Sequence, residues 1–560
     1  MNADNLNSIL SRIPLLLSFL DRRRYSSTYG CFDRDHWHYL LASDFPSSVY
    51  QQGVLTLSML YKNNFPGNIY FNDPLILEYI VAGMAYWAGI QNRDGSFNEW
   101  FPNEHSFVAT AFSSYAISEA YLSLGTELDG VDMAKRNAIL GALIKTGKWL
   151  SKNEDKFLAN HVAGAIAALH NIYLITRDEY FLKAKDKKID KILEFQNEEG
   201  WLYEYGGPDM GYLSVSIDYL ARCYKKSKDQ RLRDCLEKAL SFLAYFIHPD
   251  GSCGGEYGSR NIKYLMPQGL RILSAEFSSA SYIIDRLYAG IKNHVLPNLD
   301  TVDDRYLIFF FLPSFLAAEL ESGALVAPLD FDKEYRKFFK NSGLVSLKTG
   351  DYHLICNTKK GGALKIFSVK DKQRLVYSDA GYIVDFGKRK ACSQYLNDSG
   401  PGVNYIEGDK LIIEIKSRFI YVPAGAGLSR CLFIFRLFNY TLGRFNKIMD
   451  IFNCLIKRRL ILRKVFAPLS LNRKIIVDKA GITIDDIIKK DKNVRCLNFL
   501  CENNADIQFS PTSRYFIESD LRVSGRIPNP TDRFNSRGEV KLRAEIFLSD
   551  SNIELKRTVL

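Results

Sequence analysis

A short loop pattern recurs through the first half of the chain, and it leaves few architectures open. Gln91-Asn92-Arg93-Asp94-Gly95-Ser96-Phe97 separates two stretches of helical periodicity, the second starting near Ser106. Gln196-Asn197-Glu198-Glu199-Gly200-Trp201 precedes a helix beginning near Tyr212, and His248-Pro249-Asp250-Gly251-Ser252 precedes one near Met266. Lys152-Asn153-Glu154-Asp155 stands before the helix that contains Asn160 and His161. Each glycine follows an acidic residue, which marks a turn position where positive φ is tolerated. Recurrence about every 45–60 residues is the length of a helical hairpin plus its loop. Hairpins in series close into an (α/α) toroid with the longer loops at one rim, so residues 1–335 are expected to form such a toroid.

Near residue 340 the period changes. Before it, apolar residues keep helical spacing, as in Ile76, Tyr79, Ile80, Gly83, Met84, Trp87 and in Leu232, Leu236, Ala239, Leu240, Leu243. After it come short strands: Tyr352–Cys356, Leu364–Phe367, Leu411–Ile415 and Ile475–Val477. Helices and strands in separate blocks make an α+β multidomain chain, here a toroid followed by an antiparallel β-sandwich over 336–560. A helical insertion is expected near 440–466, from the apolar stripe Phe445, Ile448, Met449, Phe452, Leu455, Ile456.

That insertion also holds most of the charge. The chain carries 74 Lys+Arg against 63 Asp+Glu, net +11. Residues 444, 447, 457, 458, 459, 463, 464, 473 and 474 are basic, with Asp450 the sole acid between them. Two readings stand: a surface helix drawn to anionic lipid or polysaccharide, or a helix packed across the sheet with a solvated basic face. A hydrophobic content of 47% with 24% charged residues excludes disorder as the main state. No apolar run reaches the ~18 residues of a membrane span. Arg22, Arg23 and Arg24 follow the apolar stretch Ile13–Leu20, the reverse of a secretory signal. With ten scattered cysteines and no CxxC pair, a reduced, cytoplasmic protein is expected, with peripheral membrane contact through 444–474 as an option.

The polar residues gather in the predicted rim loops. The first holds Glu99, Trp100, Asn103, Glu104 and His105; Asn160-His161 opens the next helix. Glu204-Tyr205-Gly206-Gly207-Pro208-Asp209-Met210-Gly211-Tyr212 and Gly254-Gly255-Glu256-Tyr257-Gly258-Ser259-Arg260-Asn261 form the third and fourth. Asn, His, Tyr and Arg, without a metal-ligand cluster or an evident nucleophile, suit proton abstraction beside a carboxylate. The C5 proton of a uronic acid is too weakly acidic until donors such as Asn, His or Arg neutralise the neighbouring carboxylate. A Tyr then takes the proton and passes one to the leaving oxygen; its ordinary pKa of about 10 must be lowered, for which Arg260 is available.

With these residues in place, the chain resembles the heparinase II/III and alginate lyase group of polysaccharide lyases. The resemblance implies an Asn-His pair that neutralises the uronate carboxylate (Asn160, His161), a Tyr that is base or acid (Tyr212) and a β-sandwich His reaching the cleft (His353). Among the rim-loop residues, His105, Glu104, Tyr205, Asp209, Tyr257 and Arg260 are expected to bind substrate. The opening Tyr29-Gly30-Cys31-Phe32-Asp33-Arg34-Asp35-His36-Trp37-His38-Tyr39 is similar to heparinase-like proteins found beside polysaccharide-biosynthesis genes. The implied partner is an anionic polysaccharide or oligosaccharide, in exopolysaccharide or capsule metabolism, with no nucleic acid, cofactor or catalytic metal.

Other assignments stay open at this point. Asn160 also suits a helix N-cap, Tyr205 and Tyr212 core aromatics, and His353 a packed strand residue. Arg260 also suits a structural bridge to Glu256 or Asp209. A hydrolase would pair Asp94 or Glu104 with Glu204 or Asp209. A non-catalytic glycan-binding or assembly protein needs none of these. Gln196-x₃-Gly200-Trp201 resembles the Gln-Trp repeats of terpene cyclases, but no acid-rich DxDD-type motif accompanies it.

Overall fold

The computed structural model describes residues 3–38, 43–331, 333–370, 374–396, 402–407, 410–422, 431–456, 464–478, 481–491, 494–500, 529–548 and 553–560. Tyr39 of the opening segment and the basic residues 457–459 and 463 lie outside them. Six helices form an inner ring: Gly53–Lys62, Phe107–Leu124, Ala159–Thr176, Met210–Ser227, Pro267–Leu273 and Leu312–Leu320. Each packs on the next, and the last packs back on the first, so the ring closes. Pro74–Gly89, Met133–Lys152, Glu179–Phe195, Gln230–Ala244 and Ser278–Lys292 lie outside it.

The chemistry of the two rings differs as burial demands. Inner helices are covered all round and carry mainly small or apolar side chains, with the buried Asp218–Arg222 pair matched within its own helix; Phe107–Leu124 buries Ala109 through Ser118 without a break. Hydroxyls there turn back onto their own helix, as Ser113 and Ser114 do on the carbonyls of Ala109 and Thr110. Outer helices bury one stripe, and Gln230–Ala244 buries Leu232, Leu236, Ala239, Leu240 and Leu243.

The recurrent loops do one mechanical job. Gln91 Nε2 donates to the carbonyls of Gly95 and Ala142, and Gln196 Nε2 to those of Gly200 and Cys235. Each loop thereby docks on the following outer helix. Gly95, Gly200 and Gly251 all have positive φ, and a Cβ would meet the backbone oxygen of Lys145, Lys238 or Arg286. At Gly200 that clash would be 2.3 Å from the Lys238 oxygen. Gly200→Ala is therefore expected to destabilise the chain by about 2–4 kcal/mol, strain and overpacking together. Denaturant midpoints check this, and an unchanged midpoint refutes the docking role.

After Leu320 the helices stop, and strands begin at Tyr335. Tyr335–Phe339, Leu344–Lys348, Tyr352–Asn357, Ala363–Ser368 and Leu375–Asp379 form a five-stranded antiparallel sheet in chain order. The second sheet runs Asn498–Leu500, Ile383–Asp385, Lys390–Cys392, Lys410–Tyr421, Phe466–Val477, Gly481–Lys490, Glu539–Leu548, Ile553–Val559, with Val403–Glu407 paired to Lys410–Tyr421. Leu354, Cys356, Leu364 and Ile366 meet Ile413, Ile415, Ile475 and Ile484 in one core. The opposite face of the first sheet lies on the toroid, where Leu344 and Ile355 join the helical core. Covered on both faces, its three central strands are buried at every position.

Two sequence readings change here. Arg473 belongs to no surface patch: it is fully buried, held by Asp486 at 2.7 Å, Asp379 at 2.9 Å and the Gly362 carbonyl. The insertion begins earlier than expected, as two helices, Leu432–Tyr440 and Asn446–Ile456, between strands that pair with each other. It packs across the toroid rim instead of the sheet. Phe435 meets Phe101 with ring centroids 5.1 Å apart, Asn103 Nδ2 donates to the Asn439 carbonyl, and Asn453 Nδ2 to that of Glu104.

Candidate active site

Three rim loops are bonded into one surface. The 153–160 and 203–212 loops join through the Ala159 amide on the Tyr203 carbonyl and a bridge between Leu158 and Glu204. The 254–263 loop closes on the second through Ser259 Oγ on the Glu204 carbonyl and the Arg260 amide on Asp209. The first sheet braces the third loop from behind: Asn357 Nδ2 donates to the Tyr257 carbonyl, Lys360 Nζ to that of Gly258, and Lys365 pairs with buried Glu256 at 3.0 Å.

These bonds bring Asn160, His161, Tyr205, Tyr212 and Arg260 into one neighbourhood. Asn160 is not the N-cap; Leu158 holds that position without a side-chain cap. The Asn160 backbone N–H and side-chain Nδ2 both donate to the Glu204 carboxyl, at 2.7 and 2.8 Å. Glu204 is wholly buried, and burial holds its carboxyl far above the usual carboxylate range despite those bonds. The effect is to lock the Asn160 amide in one orientation.

His161 Nδ1 lies 2.9 Å from Asp155 Oδ2, and Phe112 packs edge-on against the ring. A buried carboxylate on one ring nitrogen fixes the tautomer, leaving Nε2 for a ligand. Tyr205 lies beside Tyr212 with centroids 6.2 Å apart and the rings tilted by 43°, and both residues are half-buried. The Arg260 guanidinium lies over the Tyr205 ring at 4.3 Å, so of the two tyrosines it is Tyr205 that the cation faces. Burial raises the Tyr205 phenol above its ordinary range and outweighs Arg260, so this hydroxyl stays protonated and serves as a donor.

Two further observations mark the cluster as more than packing. Tyr205 and Asn261 have φ of +54° and +57°, a costly conformation that a bulky Tyr adopts only under constraint. Arg260 Nη2 and both amide atoms of Asn261 are buried and have no hydrogen-bond partner among the described residues. Unpaired buried donors are expensive, and a guanidinium especially so.

Other predicted site residues are committed elsewhere. His105 is buried, with Nδ1 2.7 Å from Asp94 and 2.8 Å from Ser96, and Nε2 3.1 Å from the Gly443 carbonyl. It joins the rim loop to the insertion, so it leaves the substrate-binding set. Asp209 caps its helix through the Tyr212 amide and also accepts from the amides of Arg260 and Ile262. Tyr257 is fully buried, its hydroxyl 2.9 Å from His248 Nε2.

His353 shares the toroid-facing side of its strand with Ile355 and Asn357. Four residues at about 3.3 Å each nevertheless put it ~13 Å from the Asn357 end that braces the cluster. Its Nε2 faces Ser346 at 3.0 Å and Tyr335 at 3.2 Å, and burial lowers it to about 3. His353 is thus the packed strand residue, neutral and away from the cleft.

Glu104 is equally occupied, Oε2 accepting the amides of Glu99 and Trp100 at 2.7 Å each. Burial and the charge of Glu99 push its carboxyl up to about 8 from 4.5. The folded chain then keeps a proton that the unfolded chain releases, so stability falls as pH rises from 4.5 towards 8. The slope is at most about 1.4 kcal/mol per pH unit. Glu104→Gln is expected to flatten it; thermal midpoints at several pH values decide, and parallel profiles refute the assignment.

Sequence reasoning missed Asp155 and Glu204 as orienting groups and Asn261 as a free donor. Asp155 six residues before His161 was a legible signal; the Glu204 partnership crosses two hairpins and was not.

The fold, a closed toroid buttressed by a β-sandwich, is shared with solved polysaccharide lyases. Residues 79–269, which contain all four rim loops, match the family model for the ulvan lyase N-terminal domain. Among solved structures the chain is similar to the chondroitin AC lyase of Streptomyces coelicolor A3, at TM-score 0.55 and 11% identity over 89% of this chain and 67% of that one. It is similar to a Paenibacillus xanthan lyase at TM-score 0.53 and 10% identity, over 100% of this chain and 55% of that one. The chain therefore spans only about half of the xanthan lyase. Compared by sequence with curated proteins, it matches none. The match over residues 79–269 bears out the expected relationship to polysaccharide lyases.

Proposed function

We propose that this chain cleaves a uronate-containing anionic polysaccharide by β-elimination at the 155–161, 203–212 and 259–261 cluster. The observation that carries this reading is the buried Arg260 guanidinium, unpaired at Nη2, beside the orphaned Asn261 amide. A substrate carboxylate supplies the missing acceptors. Asn160, His161 and Arg260 neutralise it, so the C5 carbanion develops as a stabilised enolate. Tyr212, as its phenolate, takes the C5 proton, the C4–O bond breaks, and the leaving oxygen receives a proton either from the Tyr212 hydroxyl so formed or from protonated Tyr205, which is then left as the phenolate. The product has a C4–C5 double bond conjugated to the carboxylate. Asp155 and Glu204 position His161 and Asn160.

The hydrolase reading loses support because Asp94, Glu104, Glu204 and Asp209 are each engaged within the fold. The similarity of Tyr29–Tyr39 to proteins encoded beside polysaccharide-biosynthesis genes supports a setting in exopolysaccharide or capsule metabolism. Incubation with ulvan, xanthan, chondroitin and heparan sulfate tests the reaction. Ultraviolet absorbance rises only if elimination forms the conjugated uronide. New reducing ends without that absorbance mean hydrolysis, and binding without either means a glycan-binding protein.

A further inference from the structure

We propose that the two-helix insertion Leu432–Ile456 docks the toroid rim onto an anionic lipid bilayer. This stands apart from the lyase reading. Of the exposed large apolar side chains among the described residues, nine fall within 432–455. Phe433 is 81% exposed, Ile434 66%, Ile451 63% and Phe445 61%, with Leu437 and Leu455 beside them in the sequence pattern. Scattered apolar side chains are ordinary on a surface; this concentration on one element is not.

The insertion's inner side already has apolar and charged contacts with the rim. Phe435 and Phe438 pack on Phe452, Met449 and Asn439 are buried, and Tyr440 and Arg436 both reach Asp44 on the rim. The helices therefore have a seat of their own, and the exposed apolar side chains are surplus to it. A helix packed only for its own stability would present polar residues outward.

Charge selects the occupant. Arg444 and Lys447 are exposed among these apolar residues, and Lys457, Arg458 and Arg459 follow in the sequence, against Asp450 alone. Apolar side chains flanked by cations match an interface whose headgroups are anionic and whose interior is hydrocarbon. No described helix is long and apolar enough to cross a membrane, so the contact lies in the interfacial plane. Because the insertion is bonded to Asn103, Glu104 and His105, docking would hold that sector of the rim against the membrane surface.

The test is sedimentation of the full chain with vesicles of phosphatidylcholine, with and without phosphatidylglycerol. Binding is expected to the anionic vesicles and to weaken as salt rises. The double variant Phe433→Glu with Ile434→Glu is expected to lower partitioning by at least about tenfold. Its thermal midpoint should be unchanged, since both side chains are largely solvent-exposed in the free chain. Arg444→Glu with Lys447→Glu should weaken the preference for anionic vesicles. Failure of the wild-type chain to sediment with anionic vesicles, or full binding by Phe433→Glu/Ile434→Glu, overturns the proposal. A concentration-dependent dimer that this variant dissolves, without vesicle binding, assigns the face to a second copy instead and overturns it too.

Discussion

Tyr212→Phe is expected to slow the rise in ultraviolet absorbance on the cleaved polysaccharide by roughly 10²–10⁴-fold, the usual worth of a positioned acid–base group. Glycan binding should survive, because Asn160, His161 and Arg260 are untouched. The fold should survive as well: Asp209 holds the Tyr212 backbone amide, not its hydroxyl, and the ring stays half-buried against Tyr205. Tyr205→Phe separates the two phenols. If the protonated Tyr205 is the donor to the leaving oxygen, its loss slows turnover while Tyr212 still takes the C5 proton. Full activity in Tyr212→Phe would falsify the assignment of that residue, and wild-type turnover in both variants would remove the tyrosines from the mechanism.

The second large effect is on stability. Arg473→Met is expected to cost roughly 3–5 kcal/mol, the range for breaking a buried ion pair by removing one partner. Asp379 and Asp486 would be left inside the sandwich without their cation, and the Gly362 carbonyl would lose a donor. Tyr382, whose hydroxyl donates to Asp486, supplies no compensating charge. The penalty lies in the stranded carboxylates, so adding Asp379→Asn and Asp486→Asn to Arg473→Met should recover part of it. Denaturant unfolding measures both. A loss under about 1 kcal/mol for the single variant, a value typical of an exposed pair, would show that the cluster is reached by water.

Much of the fold was readable because its signals are local. A Gln, an acid and a Gly at the same offsets identify the loops at 91 and 196, and that Gln docks each loop on the next outer helix; the repeat and its mechanical role are one fact. The apolar spacing of Ile76, Ile80, Met84 and Trp87 became a buried stripe unaltered. The insertion was half legible: the stripe from Phe445 to Ile456 gave a helix, but Leu432–Tyr440 went unread. A run as apolar as Leu432-Phe433-Ile434-Phe435 reads as strand or helix, and period alone does not decide.

The site divided along a similar line. Asn160, His161, Tyr205, Tyr212 and Arg260 were named from residue type and loop position, and the three loops do meet. Glu104, His105, Asp209, Tyr257 and His353 share those residue types and sit in or near the same loops, yet their polar atoms are spent on backbone amides, carbonyls and neighbouring side chains. Nothing in the order of residues separates an Asp that caps a helix from one that meets a ligand.

Sequence alone therefore determined the toroid of hairpins, the sandwich after it, the polar rim and the charge of the insertion, all of which follow from periodicity and composition over short windows. Tertiary structure decided which rim groups remain unpaired, where Arg473 points and which way the insertion faces. Those outcomes rest on hydrogen bonds and burial between residues far apart in the chain, such as Asn160 with Glu204 and His105 with Gly443. A side chain's chemistry is set by which partner reaches it first, and only the folded chain places the partners.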